Sequence, residues 1–318
     1  NDVRVEKSIF SLIDTAIIKV PASARLQQDG AIPTESVETA KQFQEGDKVT
    51  IRLGYDDDLQ EEFAGFVKRV NFTTPCEIEC EGFSWQLRKK SLARSWKNAA
   101  IKDILKQIIA GTDITLSSDI PDISFNGIFT LNDEDGTQAL DRLKKEMFLT
   151  VYFIEGNQLY VGLEQTAQIN REVKYRLGWN TIKDDQLKYR RAEDTKVRMR
   201  VNYKNAKGKS VHKIYGKAGG IEKVKECGTI PNSDLLERLL NAKAREFWYA
   251  RYKGKITTFI APFSQHGWKA TITDDKYPER NGSYMITSIG VQFGVGGARR
   301  MVGIGKSLTN NQNVLTES

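Results

Sequence analysis

The sequence predicts an α+β, mainly β fold in which one chain carries two similar β-domains separated by inserted material. Three observations predict it. Residues 44–87 alternate apolar and polar positions over three short runs broken by turn residues. A shift of 221 residues repeats that pattern near the end of the chain, carrying Gly46 onto Gly267, Lys48 onto Lys269, Ile51 onto Ile272, Phe63 onto Tyr284 and Val70 onto Val291 without a gap. Between the copies lie stretches with the period of a helix.

Taken in order, residues 3–26 read as two strands through Val3, Val5, Ile9, Ile13, Ala16–Ile18 and Val20, followed by a loop at Pro21, Asp29–Gly30 and Pro33. In the first meander Val49, Ile51 and Leu53 form one strand. Gly54 and Asp56–Asp58 turn the chain, Phe63–Phe72 form a second strand, and Thr73–Pro75 turn it again. Cys76, Ile78 and Cys80 alternate in a third. Ser84–Lys97 is basic, with Trp85 and Trp96 near its ends, and reads as an amphipathic connector whose tryptophans pack and whose lysines stay wet.

Ile101, Ile104, Leu105, Ile108 and Ile109 form the apolar stripe of a helix over 99–110, stopped by Gly111. Phe125, Ile128, Phe129 and Leu131 make a short apolar piece. Asp133 or Asp135 caps a second helix over 136–148, with Ala139, Leu140, Leu143 and Met147 inward. Glu155-Gly156-Asn157 joins two strands as a hairpin. Tyr175, Leu177 and Trp179 open the next β-region, and Leu187–Tyr203 alternates, with Val197, Met199, Val201 and Tyr203 on one face and Lys196, Arg198 and Arg200 on the other. A basic hairpin over 204–220 follows; its Lys207, Lys209, His212, Lys213 and Lys217 form a candidate contact surface for an acidic partner. A helix capped by Asn232 or Ser233 runs to about Arg251. A strand at Ile256–Ile260 and the second meander come next, and the polar end, 308–318, reads as a flexible tail.

The 318 residues suffice for about two domains, and 39% hydrophobic with 28% charged residues fits a globular chain with a polar surface. A net charge of +7 is mild for this length and selects no partner. No apolar run reaches the roughly 20 residues that span a bilayer, so no membrane insertion is expected. Cys76 and Cys80 share a strand face, too far apart along it to bridge, and read with Cys227 as reduced thiols. Two distant histidines, His212 and His266, make no metal cluster. There is no nucleophile elbow, phosphate loop or zinc-protease motif. The glycines of 294–305 sit inside strand alternation and read as a tight hairpin around Gly296–Gly297. The acids Asp56–Asp58, Asp133–Asp135 and Asp274–Asp275 read as turn residues. No catalytic residue, cofactor site or metal site is expected.

The stretches GDKVTIRLGY, FAGFVKRV and IECEGFSWQL, together with the later AREFWYARYKGKITTFIAPFSQHGWKATITDD, NGSYMITSIGVQFG and RRMVGIG, resemble the opening and closing β-domains of phage tail hub proteins of the late control D family, whose fold the type VI secretion spike protein shares. The resemblance implies two tube-type β-barrel domains, 1–93 and 174–202 plus 255–307, with inserted segments at 94–173 and 203–254. It implies a structural, non-enzymatic hub in the virion tail, made in the host cytoplasm. It also implies a homotrimer with six similar domains around a channel, contacting a sixfold tube and a threefold spike and passing DNA only as cargo. The alternative within the resemblance is the hub of a type VI-like secretion spike. Outside it stand a carbohydrate or peptidoglycan hydrolase using the turn carboxylates, and a nucleic-acid module using the basic hairpin and the tryptophan-bearing connector.

Overall fold

The computed structural model describes residues 1–25, 36–124, 128–147, 149–162, 171–184, 186–190, 197–204, 209–215, 221–229 and 251–308. The chain is mainly β. It opens with the antiparallel strands β1 (Asp2–Ser8) and β2 (Thr15–Val20), then a short pair, β3 (Ser23–Arg25) and β4 (Ser36–Glu38). The first meander is β5 (Lys48–Tyr55), β6 (Asp58–Asn71) and β7 (Cys76–Glu81). An inserted unit follows: α1 (Ser84–Leu87), β8 (Ser91–Lys97), α2 (Ile101–Ile108), β9 (Thr115–Leu116), β10 (Ile128–Asp135), α3 (Gly136–Met147), β11 (Thr150–Ile154) and β12 (Gln158–Gly162). β13 (Glu172–Arg176) and β14 (Lys188–Arg190) lead to a three-stranded sheet of β15 (Val197–Lys204), β16 (Ser210–Tyr215) and β17 (Ile221–Thr229). β18 (Arg251–Thr258), β19 (Lys269–Thr273), β20 (Gly282–Gly294) and β21 (Gly297–Ser307) close the fold.

Both meanders belong to one sheet, whose order is β14-β18-β21-β20-β1-β2-β7-β6-β5, with β19 also on β20 and β13 on β19. The two halves have the same connectivity. β2-β7-β6-β5 in the first is matched by β18-β21-β20-β19 in the second. β20 joins them: β21 lies along one edge, and the other edge is shared by β19 at residues 282–285 and β1 at 288–293.

The shift of 221 residues holds in the first strand of each meander and reaches Phe63 and Tyr284 in the second. Lys48 opens β5 and Lys269 opens β19; Ile51 and Ile272 are both buried, as are Phe63 and Tyr284. In the third strand the repeat slips by one. The buried alternation Cys76–Ile78–Cys80 falls on Ala298–Arg300–Val302, not on 297, 299 and 301. Side chains alternate faces with period two, so a gapless third strand would point its core residues at solvent. The gapless alignment expected from sequence is corrected by that one residue.

Local chemistry explains the turns and helices. β5 and β6 are joined through Asp56 (φ 48°) and Asp57 (φ 68°), with Tyr55 paired to Asp58. Two left-handed central residues make the tight hairpin whose twist suits the strands, and aspartate is among the few residues that tolerate them. In α2 the stripe Ile101, Ile104, Leu105 and Ile108 is buried, each side chain contributing roughly 1.5–3 kcal/mol of apolar burial. For α3, Asp135 Oδ1 accepts from Thr137 N (2.8 Å) and Gln138 N (2.9 Å), while Gln138 Oε1 accepts from Asp135 N (3.0 Å). Between the two acids expected to cap α3, the reciprocal bonds choose Asp135. Ala139, Leu140 and Leu143 face the core.

The stretch 84–97 is not one connector. α1 ends at Leu87 and β8 pairs antiparallel with β10, because Leu92 and Trp96 alternate along an extended chain and pack on the inserted unit's core. Its tryptophans do pack: Trp85 stacks on Phe66 at 5.0 Å and Trp96 lies 6.0 Å from Phe129. Phe125, the loop beyond Arg25 and the expected helix over 232–250 lie outside the described residues, as does 309–318.

Two hydrophobic cores result. One fills the inserted unit between α2, α3, β11 and β12, and takes in Ile9 and Met285 from the sheet. The other runs continuously beneath both meanders, from Val5, Ile51 and Phe63 to Tyr284, Val302 and Ile304. A close backbone approach lies at Gly65, where a Cβ would stand 2.3 Å from the carbonyl oxygen of Glu81. Neither backbone can yield without breaking the β6–β7 ladder, so Gly65→Ala is expected to cost about 1–3 kcal/mol, measured as an earlier urea midpoint with an unchanged slope.

Candidate functional site

The most constrained polar group in the fold is an ion pair with no exposure at either partner, Glu62 on β6 and Arg300 on β21. Arg300 Nη2 donates to Glu62 Oε1 at 2.5 Å and Nη1 to Oε2 at 3.2 Å. The remaining donors bind the segment after β18: Nε donates to the Ile260 carbonyl (3.1 Å) and Nη1 to the Ser264 carbonyl (3.0 Å). The guanidinium also lies 5.1 Å from the Phe263 ring centroid. A planar, always-charged fork satisfies a carboxylate and two carbonyls at once, which lysine cannot do. The pair ties one meander to the other and fixes residues 260–264.

That segment delivers Gln265 and His266 to a polar junction where the sheet meets the inserted unit. His266, 4% exposed, donates from Nε2 to the Phe153 carbonyl of β11 at 2.7 Å. The carbonyl can only accept, so this bond sets the tautomer and leaves Nδ1 as the bare nitrogen, buried with no partner. Burial pushes His266 down to about 3, helped by the Lys7 charge. Beside it a cavity of about 250 Å³ is lined by Lys7, Asp14, Glu61, Glu155, Arg171 and Gln265. Asp14 is 8% exposed; burial raises its carboxyl to about 7 even though Lys7 pulls the other way. Glu155 and Arg171 pair across the mouth.

The two rims of the sheet differ in chemistry. At one, the β6–β7 and β20–β21 turns stand near each other, with Pro75, Val295 and Pro21 around a shallow groove. Phe72 is 69% exposed there and Val295 fully exposed. At the other lie the turns bearing Asp56–Asp58 and Asp274–Glu279. Asp274 is a structural turn residue, its carboxylate accepting from Lys276 N and Tyr277 N, while Asp275 pairs with Arg176. The glycines of 294–297 close the β20–β21 hairpin, and strand β21 follows them directly.

Of the basic contact residues expected from sequence, His212 is exposed on β16 opposite Asn202, and Lys213, half-buried, opposes Val201. As neighbours on a strand these two point to opposite faces. Lys209 is exposed just before β16. Lys207 and Lys217 lie outside the described residues. Cys76 and Cys80 are free and buried, with burial raising the Cys80 thiol to about 12. Among the described residues, no group of three or more histidines, cysteines or acids could hold a metal ion, and no helix is long and apolar enough to cross a membrane.

Sequence reasoning missed both Glu62–Arg300 and the junction. A signal for the first existed: Ala298, Arg300, Val302 and Ile304 share one alternation phase, so an arginine stood on an otherwise apolar face. Nothing local marks Lys7, Asp14 and His266, which only the fold brings together.

What this geometry defines is a β scaffold whose constrained groups hold chain segments to one another. No family model and no curated protein matches the chain, but solved structures share its fold. The 43 kDa tail protein of prophage MuSo2 from Shewanella oneidensis superposes with a TM-score of 0.62 at 11% identity, over 96% of this chain and 93% of that one. A tail protein from Neisseria meningitidis gives 0.63 at 11% identity, covering 96% and 91%. The E. coli c3393 protein, a component of the type VI secretion system, gives 0.56 at 9% identity, covering 100% and 75%. The chain therefore has the fold shared by phage tail proteins and this secretion component.

Truncating one partner of a buried ion pair strands the other charge without solvent. Arg300→Met is expected to cost about 3–5 kcal/mol in urea unfolding. The double change Glu62→Leu with Arg300→Met is expected to recover most of that loss. Equal losses in the single and double variants would show that the pair itself, and not charge balance, stabilises the fold.

Proposed function

We propose that this chain is the structural hub of a phage or prophage tail baseplate, a homotrimer joining the tail tube to a central spike and leaving a channel for DNA. The observation that carries the reading is the pair of matching four-strand units, β2-β7-β6-β5 and β18-β21-β20-β19, in a fold shared with tail proteins over nearly the whole chain. In this reading residues 1–93 and 174–202 plus 255–307 are two tube-type barrel domains. Three chains then supply six similar units, so one ring meets a sixfold tube on one face and a threefold spike on the other. The apolar rim at Phe72 and Val295 and the acidic rim at Asp56–Asp58 are the two end faces. The insertions at 94–173 and 203–254 form the periphery, where the exposed Lys209 and His212 offer basic contacts to neighbouring proteins. The protein acts in the virion tail after synthesis in the host cytoplasm, without catalysis or cofactor, and DNA is transiting cargo.

The likeness to c3393 favours a second reading of the same architecture, the hub of a type VI-like secretion spike. A hydrolase would need two carboxylates facing each other across a cleft, whereas Asp135 and Asp274 are spent on capping a helix and a turn. Light scattering over a concentration series is expected to show a particle of three times the 36.0 kDa chain mass. A monomer at every concentration would contradict the trimeric hub.

A further inference from the structure

Titratable side chains that the hub reading does not use meet at the junction: Lys7 and Asp14 line its cavity, and His266 crosses to the inserted unit beside it. Asp14 lies in the β1–β2 connection, its backbone carbonyl accepting from Gly82 N at 2.9 Å and its side chain lining the cavity. His266 stands on the segment fixed by Arg300 and reaches the inserted unit through the Phe153 carbonyl and an edge-on contact with Tyr152, ring centroids 5.4 Å apart. The surrounding charges are largely committed. Glu62 is held by Arg300, Glu155 by Arg171, and Glu61 stands 4.0 Å from Arg52. On β7, Glu81 is engaged by Arg88, Lys68 and Ser84. Lys7 on β1 is the charge common to both groups, favouring ionised Asp14 and opposing charged His266. Gln265, 5% exposed, lines the same cavity with its Oε1 unpartnered.

We propose that Asp14 and His266 are a compensating proton pair, so that closing the sheet onto the inserted unit takes up a proton at one and releases a proton at the other. The closed junction buries Asp14 as the neutral acid and His266 as the neutral imidazole with a bare Nδ1. Opening wets both, and each returns to its ordinary behaviour.

The signs follow from linkage. Asp14 has a raised folded value, about 7 against 3.8, so its contribution to closure is complete below 3.8 and is lost as pH rises toward 7. His266 has a lowered value, about 3 against 6.5, so its contribution is complete above 6.5 and is lost as pH falls toward 3. Between about pH 4 and 6.5 the two slopes are equal and opposite, and closure becomes insensitive to acid. The consequence is a seam that keeps its geometry across a pH range in which either group alone would loosen it. This inference does not depend on the hub reading.

Hydrogen exchange by mass spectrometry on the full chain tests it, following peptides over 150–162 and 260–268 from pH 4.5 to 6.5 after correction for intrinsic rates. In the unaltered protein the junction's opening is expected to change by less than about twofold. With Asp14→Asn, opening falls as pH rises, by roughly tenfold per pH unit. His266→Gln keeps an N–H for Phe153, and there opening rises by roughly tenfold per unit. The double variant is flat again. Variants that loosen the junction by the same factor at every pH overturn the proposal, as does a slope in the unaltered protein. A slope shared in full by peptides from β20 and β21 also overturns it, because the protons would then belong to global unfolding. If Asp14→Asn does not fold, His266→Gln decides alone: a flat profile there overturns the pair.

Discussion

Arg300 and Glu62 carry opposite charges into a place with no water, and much of the architecture is arranged around that fact. Desolvating two ions costs several kcal/mol each, recovered only when geometry and extra hydrogen bonds are good. Here the guanidinium spends its donors on both carboxylate oxygens and on the Ile260 and Ser264 carbonyls. The pair therefore specifies more than it stabilises. It sets which strand of one meander faces which strand of the other, and it pins the segment from which Gln265 and His266 reach the inserted unit. The β1–β20 ladder supplies the backbone half of the same connection. One ladder and one ion pair between them make a continuous sheet and core out of two repeated units.

The repeat was legible because strand alternation survives where identity does not. Ile51 with Ile272 and Phe63 with Tyr284 keep burial and spacing after the residues themselves diverge. The one-residue slip in the third strand was not legible, since the ungapped shift carries Gly82, just after β7, onto Gly303 of β21 and so favours the other register. The two longer helices of the inserted unit, α2 and α3, were visible from their stripes, and α3 even from its cap. The stretch 84–97 misled because a basic run with two tryptophans matches several structures, and only pairing with β10 decides for a strand. The basic contact residues were chosen by composition alone, and strand geometry sends His212 and Lys213 to opposite faces.

Polar residues at the junction were invisible for another reason. Lys7, Asp14 and His266 are ordinary in their own neighbourhoods and become unusual only when β1, β6 and the 260–266 segment converge. A long-range contact of this kind leaves no periodic trace. It also explains why the scaffold can look chemically inert from sequence while its interior holds groups with strongly displaced proton affinities.

The central claim is that two equivalent units in one chain let three chains build a ring with near-sixfold symmetry. Electron microscopy of the purified particle, viewed down its axis, addresses it most directly. The account predicts a ring with an open centre whose inner wall shows six similar densities and whose periphery shows three. A particle lacking an open ring, or one whose inner wall carries only a threefold repeat, would contradict it.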